Sequence, residues 1–253
     1  MIDEELNRSQ STDIIGRNII YLPSVTSTMD IARLEAQKGA VTGTVIIAGE
    51  QKKGRGRLKR TWLSSKGSLA LSIILRPELS EIPQLIMVAS LAVIQAIEGE
   101  TGLKAIIKWP NDVLINDKKV CGILIENNVM GNMVIYSIIG IGINVNIGIQ
   151  ELGSVTQPWT SLSQESGVEV ELARLENKLF KEFDTLYNSP PQLIFQNWRD
   201  SLVTLGKEVT VNDGQFAEEG VAESVNADGG LNLRRKDGKL VTINVGDVSL
   251  RNK

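Results

Sequence analysis

Residues 104–146 constrain the architecture more firmly than any other stretch of the chain. Almost every position there is β-prone, and the side chains alternate. Lys104, Ile106 and Lys108 fall on one side of the first run; Ala105, Ile107 and Trp109 fall on the other. Asn116-Asp117-Lys118-Lys119 makes a turn into Val120–Glu126, and the nearly unbroken apolar run Met133–Ile141 follows. Short runs joined by tight turns pair with their neighbours, so this segment predicts an antiparallel meander. A chain with such a centre must cover the sheet, and helices are the remaining material.

Those helices are legible on both sides. Asn18–Leu22 predicts a strand, and Thr26-Ser27-Thr28 supplies N-cap residues for a short helix from Met29 to about Gln37. Thr44–Ala48 and Ser68–Leu75 predict buried strands, the second stopped by Arg76-Pro77. From Ile82 to Ile97 apolar residues fall almost all round, as in a buried helix. Leu172, Leu175, Leu179, Phe183 and Leu186 repeat at spacings of three and four, an amphipathic helix; a short helix through Trp198 follows Pro190-Pro191. After Leu205-Gly206 short β-prone runs alternate with Asn212-Asp213-Gly214, Asp228-Gly229-Gly230 and Asp237-Gly238, which are hairpin signals. The expected organisation is a flexible N-terminus over residues 1–14, a large domain over 15–203 and a small all-β barrel over 204–253. The expected fold class is α+β: a mixed, mostly antiparallel sheet with flanking helices. Leu231–Leu233 and Val134–Ile141 are each candidates for a sheet edge open to a partner.

Composition removes several chemistries. The chain of 253 residues has no histidine and one cysteine, Cys121. Ser-His-Asp and Cys-His hydrolysis are therefore excluded, as are an internal disulfide and zinc held by His or a Cys cluster. Lys and Arg number 27 against 30 Asp and Glu, so no basic surface for duplex nucleic acid is implied. No secretory signal is visible and no apolar run looks long and uninterrupted enough to span a bilayer, so a cytoplasmic location is expected. Catalysis must rest on Lys, Arg, carboxylates, backbone groups or an oxygen-held divalent ion.

Two segments carry chemistry. Gly49 to Trp62 concentrates Lys52, Lys53, Arg55, Arg57, Lys59 and Arg60 around Gly54 and Gly56, with only Glu50 opposing. Such a loop suits carboxylate and phosphate oxygens, and its like charges predict that residues 52–60 order when a ligand binds. Walker A spacing fails, because Arg55-Gly56 stands where Lys-Ser/Thr is needed. A solvated basic loop, or one that grips RNA, explains this segment equally well. The second segment, Lys108-Trp109-Pro110-Asn111-Asp112, ends a strand at a forced turn and leaves a lysine that must find an anion or reach solvent.

In combination these segments resemble the biotin protein ligases. GRGRLKRTW looks like the family's adenylate-binding loop, KWPNDVLINDKKVCGILIE its second signature, Gly140–Asn146 its third, and Thr26-Ser27-Thr28 its first. The resemblance implies a class II aminoacyl-tRNA synthetase-like catalytic domain followed by an SH3-like barrel. It implies biotin contacts from Ser27, Thr28, Gln51, Arg55, Gly56, Arg57 and Lys108, and ATP contacts from Arg55, Arg60, Trp62, Lys108 and Asn144. Lys108 and Arg57 would be catalytic, and no protein metal ligands are implied. Biotin and ATP with Mg2+ would give biotinyl-5′-AMP, and a lysine of a biotin carboxyl carrier protein (an acetyl-CoA carboxylase subunit or a related biotin-dependent carboxylase) would receive the biotin. The family commonly has Asn where this chain has Met29. Repressor members carry an N-terminal helix-turn-helix, for which the sequence before residue 15 leaves no room, so neither DNA nor membrane is an expected partner; a homodimer stays open. The rival enzyme is a lipoate or octanoate ligase or transferase. The rival binding module, an RNA binder, needs stacking aromatics, and these are 4% of the chain.

Overall fold

The computed structural model describes residues 12–148, 158–212, 217–244 and 246–250. Its centre is a seven-stranded sheet in the order β1 (Asn18–Leu22), β2 (Thr44–Ala48), β5 (Ser68–Leu75), β9 (Met133–Asn144), β8 (Lys118–Met130), β7 (Asp112–Ile115) and β6 (Ile106–Lys108). Only β1 and β2 run parallel, joined through α1 (Thr28–Gln37); every other pair is antiparallel. The meander predicted over 104–146 is thus β6 to β9.

The two faces of the sheet have different covers. Leu71, Ile73, Ile141, Ile143, Cys121 and Val113 point to one face, where they pack with α2 (Ile82–Thr101) and α4 (Leu172–Tyr187). Helix α2 is apolar all round because the sheet lies on one side of it and α4 and α5 (Pro191–Asp200) on the other. The stretch Leu79–Thr101 has the length and apolarity of a membrane span, contrary to the reading of the bare sequence. Burial in this core accounts for that apolarity. On the opposite face α1 covers only one end, where Met29, Ala32 and Ala36 meet Ile46, Ile74 and Ile138. The rest of that face is left for the site.

A second, five-stranded antiparallel sheet follows, the SH3-like arrangement expected of the C-terminal hairpins. Its order is β13 (Leu240–Ile243), β12 (Leu231–Arg234), β11 (Ala217–Val225), β10 (Glu208–Asn212), β14 (Asp247–Leu250). Its inward side chains Val209, Val211, Ala222, Leu231 and Leu233 join the same hydrophobic cluster as the main sheet. Trp109 makes the joint: its backbone N–H donates to Thr204 Oγ1 at 2.9 Å and its indole N–H to the Gly229 carbonyl at 2.8 Å.

Three expectations are corrected. The N-terminus is anchored from residue 13 onward: the backbone N–H groups of Asp13, Ile14 and Ile15 all donate to the carboxylate of Asp184 on α4. Residues 1–11 lie outside the described ones. Leu231–Leu233 is interior, since β12 lies between β11 and β13; of Val134–Ile141 the part from Ser137 onward is interior, between β8 and β5, while residues 134–136 pair with β8 alone. Among the described residues, β8 beyond Gly122 also has an unpaired flank, because β7 ends its pairing there, as do the terminal strands β1, β13 and β14. The basic segment, finally, is a two-stranded hairpin, β3 (Gln51–Arg55) and β4 (Thr61–Ser64), whose tip is a 3-10 turn at Arg57–Lys59. The sequence window showed only Glu50 against its cations, whereas the carboxylates that pair with Arg55, Arg57 and Arg60 come from distant elements.

Candidate active site

The floor of the site is a strip of sheet stripped of side chains. Ala70, Gly142, Gly122 and Asp112 are register partners across β5, β9, β8 and β7, so they share the face opposite α2. Gly140 lies two residues along, between Ser72 and Leu124. A Cβ on Gly142 would stand 2.4 Å from the Trp62 indole nitrogen, and one on Gly122 would stand 3.0 Å from the same ring. These glycines are needed for space, not for backbone angles. They let a flat group lie directly against the backbone of the sheet.

The inner wall is the N-terminus of α1. Ser27, its N-cap residue, is fully buried, and its hydroxyl has no protein partner. The Thr28 backbone N–H and hydroxyl both donate to Gln51 Oε1, at 2.8 and 3.0 Å, and Ser72 Oγ donates to Thr28 Oγ1 at 2.8 Å. The chain Ser72–Thr28–Gln51 fixes the carboxamide so that its NH2 group remains to donate. Met29 turns inward beside these groups, and its sulfur would be 2.6 Å from a Cβ on Gly140. The thioether therefore occupies the space over a bare glycine, which is how this chain accommodates a Met beside the Ser-Thr pair.

The roof is the β3–β4 hairpin. Trp62 lies over Gly122 and Gly142 with its indole N–H buried and unpartnered. Leu58, at the tip, holds a left-handed backbone (φ 51), a conformation that costs a non-glycine residue about 1 kcal/mol or more. Arg57 reaches inward. Its Nη1 donates to Asn111 Oδ1 at 3.0 Å, its Nη2 to the Gly246 carbonyl at 3.2 Å, and Asp247 lies 3.6 Å away. Arg60 pairs with the other oxygen of the same carboxylate. Burial pulls the Arg57 guanidinium below its ordinary range, and neighbouring Arg60 adds to that; Asp112 opposes it.

The lysine at the centre is Lys119. Its ammonium is 2.6 Å from Asp112 Oδ1 and 5.4 Å from the centre of the Trp62 ring, within the range of a cation–π contact. A bulge explains why it points here. Val113 faces Cys121 while Leu114 faces Lys119, so Val120 is the extra residue. Val120 and Cys121 therefore both enter the core, and Lys119 joins Gly122 on the site face. The resemblance gave the central place to Lys108, whereas Lys119 is the lysine found beside Asp112 and Trp62 in the cavity. Lys108 sits on the outermost strand opposite Asp112 and does not line the cavity. Burial chiefly lowers its ammonium's pKa, Lys119 and Arg60 add to that, and Asp112 opposes it.

Of the other expected residues, Ser27, Thr28, Gln51, Arg55, Gly56, Arg57, Arg60, Trp62 and Asn144 all line the one cavity. Asn144 is buried, its amide donates to the Thr160 carbonyl at 3.1 Å, and its Oδ1 is unpartnered. Sequence reasoning missed Lys119, Asp112, Trp159, Asp247 and Ser72. Trp159 enters because segment 158–160 bonds along the start of β8. Only Asp112 carried a signal, as the last residue of Lys108–Asp112. Among the described residues no cluster of three or more His, Cys, Asp or Glu could cage a metal. Cys121 is fully buried, and burial drives its thiol far above the ordinary range, so it is chemically inert.

Such a site is polar at one end, bare along its floor and cationic at the other end, which suits a small carboxylic acid joined to a phosphate-bearing group. Comparisons with known proteins agree. Residues 21–144 match the biotin/lipoate A/B protein ligase family, and residues 204–251 match the biotin protein ligase C-terminal domain. The bifunctional ligase/repressor BirA of Bacillus spizizenii is 35% identical over 93% of this chain and 75% of its own length. The biotin–[acetyl-CoA-carboxylase] ligase of Paracoccus denitrificans is 32% identical over 85% of this chain and 94% of its own. The structure of the Aquifex aeolicus biotin protein ligase in complex with biotin and ATP superposes with a TM-score of 0.76 at 30% identity, covering 94% of this chain and all of that one. With a matching catalytic segment, a matching C-terminal sheet and relatives aligned along nearly its whole length, the chain belongs to the biotin protein ligases.

Proposed function

We propose that this ligase activates biotin as biotinyl-5′-AMP and passes it to a lysine of a biotin carboxyl carrier protein domain. The biotin carboxylate attacks the α-phosphorus of ATP, a P–O bond forms, and pyrophosphate leaves. The carrier lysine, as a free amine, then attacks the acyl carbon of the mixed anhydride; an amide forms, AMP departs, and the ammonium proton passes to solvent. The single observation that carries this reading is the bare floor joining the Ser27–Thr28–Gln51 wall to the Lys119–Arg57–Arg60 cations.

The parts divide the work. Ser27 Oγ and the Gln51 carboxamide are open to hydrogen bonding with the ureido ring, and the acyl chain runs from them towards Lys119 over Gly142 and Gly122, a space that the Trp62 indole fills here and must vacate. Lys119 takes the place at the reacting carboxylate and α-phosphate that the sequence reserved for Lys108. Leaving Asp112 for these anions relocates its charge without moving its strand. Arg57 and Arg60 meet the phosphates, Trp62 stacks on a flat group and Asn144 contacts the nucleotide. Such chemistry depends on positioning and charge neutralisation, so the lack of histidine costs nothing. The two carboxylates nearest the cations, Asp112 and Asp247, are engaged by Lys119 and by Arg57 and Arg60. Among the described residues no group of carboxylates is placed to cage a metal, and magnesium would enter on the oxygens of the nucleotide. The functional division of the chain falls at residue 203/204, where the site's sheet gives way to the joint at Trp109.

Pyrophosphate release from ATP tests the reading, with biotin, with lipoate and with neither. Release that requires biotin and is not supported by lipoate is expected. Release with lipoate alone moves the substrate to the other branch of the family, and no release with either acid refutes the proposal.

A further inference from the structure

Arg55 lines the cavity, yet both terminal nitrogens of its guanidinium are already held by protein carboxylates, while its Nε is buried and without a partner. Its Nη1 lies 2.9 Å from Glu126 Oε1, and its Nη2 lies 3.2 Å from Glu126 Oε2 and 3.1 Å from Asp30 Oδ1. The same two acids hold Arg33: Nη2 to Glu126 Oε2 at 2.6 Å and Nη1 to Asp30 Oδ1 at 3.3 Å. Two arginines and two carboxylates close a ring of zero net charge. It draws together three elements, α1 through Asp30 and Arg33, β3 through Arg55 and β8 through Glu126. Backbone bonds secure the other flank of β3, from Lys52 N–H to the Val25 carbonyl and from Lys53 N–H to the Thr26 carbonyl, both 2.9 Å.

The contrast with the hairpin tip is sharp. There Arg57 and Arg60 share the single carboxylate of Asp247, which leaves positive charge over for an anion. Because the unpartnered Nε is buried, an incoming phosphate would have to recruit the terminal nitrogens of Arg55, displacing two carboxylates that would then repel it. From this geometry we infer that Arg55 is a strut rather than a nucleotide contact, and that Asp30, Arg33 and Glu126 are positioning residues which moor the base of the hairpin independently of the contacts its tip makes with Asn111, Gly246 and Asp247. The inference rests on the proposed ligase activity and concerns how the adenylate is kept, not how it is made.

The test uses the full chain and compares Arg55→Ala, Asp30→Asn/Glu126→Gln and the combined triple variant. Three quantities are read: the KM for ATP in pyrophosphate release, the half-life of biotinyl-5′-AMP retained after rapid gel filtration, and the thermal midpoint. Ring members are 31–40% exposed, so the midpoint is expected to move little. Retention should shorten about fivefold or more in the single and the double variant alike. The triple should be no worse than Arg55→Ala, because members of one network are not additive. The KM for ATP should stay within about twofold of the parent in each. An ATP KM raised about tenfold by Arg55→Ala and not by the carboxylate variant would make Arg55 a direct contact and overturn the inference, as would unchanged retention in either. Arg55→Lys, which keeps the charge but not the two-pronged grip, should fail to restore retention; full restoration overturns the strut. A parent that consumes no ATP with biotin defeats the ligase reading itself, a result distinct from all of these.

Discussion

Two lysines and two glycines give the sharpest residue-level tests. Lys119→Ala should abolish adenylate formation, by about 10³-fold in kcat/KM, since it removes the charge nearest the expected reaction centre. Lys108→Ala should cost about tenfold or less, because Lys108 acts on the site only through the field it shares with Asp112. Single-turnover pyrophosphate release ranks the two, and the reverse order would restore the role first assigned to Lys108. Gly142→Ala forces the whole indole of Trp62 off the floor, whereas Gly140→Ala presses only on the flexible thioether of Met29. The first should raise the KM for biotin by about tenfold or more and the second by less, the difference tracking how easily each neighbour moves.

Among the elements, β8 shows what the sequence concealed. Alternation predicted the meander, but the extra residue at Val120 reverses which side chains face the site on either side of it, and a period of two cannot report that. Lys108 was legible because Pro110 marks a strand end; Lys119 was not, because its direction depends on pairing with β7. Most of the remaining elements could be read from local patterns: α2 from its all-round apolarity, α4 from its spacing, the C-terminal strands from their turns. The hairpin could not, since residues 51–64 read as a charged loop unless Asp30, Glu126 and Asp247 are brought beside it. Its moorings also sharpen the expectation that residues 52–60 order on ligand binding. Tryptic cleavage after Arg57, Lys59 and Arg60 should be suppressed by biotin plus ATP, while cleavage after Lys52 and Lys53 should be slow throughout; equal change at both groups would mean that the whole hairpin moves. On α4, burial raises the Glu176 carboxyl from its ordinary 4.5 to about 7. The folded state then holds a proton that the unfolded state releases, so its contribution to stability is full below pH 4.5 and is lost as pH rises towards 7. Glu176→Gln should raise unfolding free energy at pH 8 by roughly 1–2 kcal/mol and leave it unchanged at pH 4, as urea titrations at the two pH values would show.

At the scale of the whole molecule, the two sheets share one hydrophobic cluster, and Trp109 adds hydrogen bonds to Thr204 and Gly229 across the joint. Trp109→Phe keeps most of the ring but removes the donor to the Gly229 carbonyl, leaving a buried acceptor unmet; a loss of about 1–3 kcal/mol is expected from denaturant unfolding. If instead the C-terminal sheet unfolds in a separate earlier transition, the joint rather than the core holds the halves together. The contact between Arg57 and the Gly246 carbonyl spans 189 residues of sequence. During synthesis the tip of the hairpin leaves the ribosome long before the backbone that will restrain it. Until the last strand is made, its guanidiniums have no Asp247 to face. A chain lacking that last strand would have a gate without its latch, and would shed the activated vitamin into solution rather than deliver it.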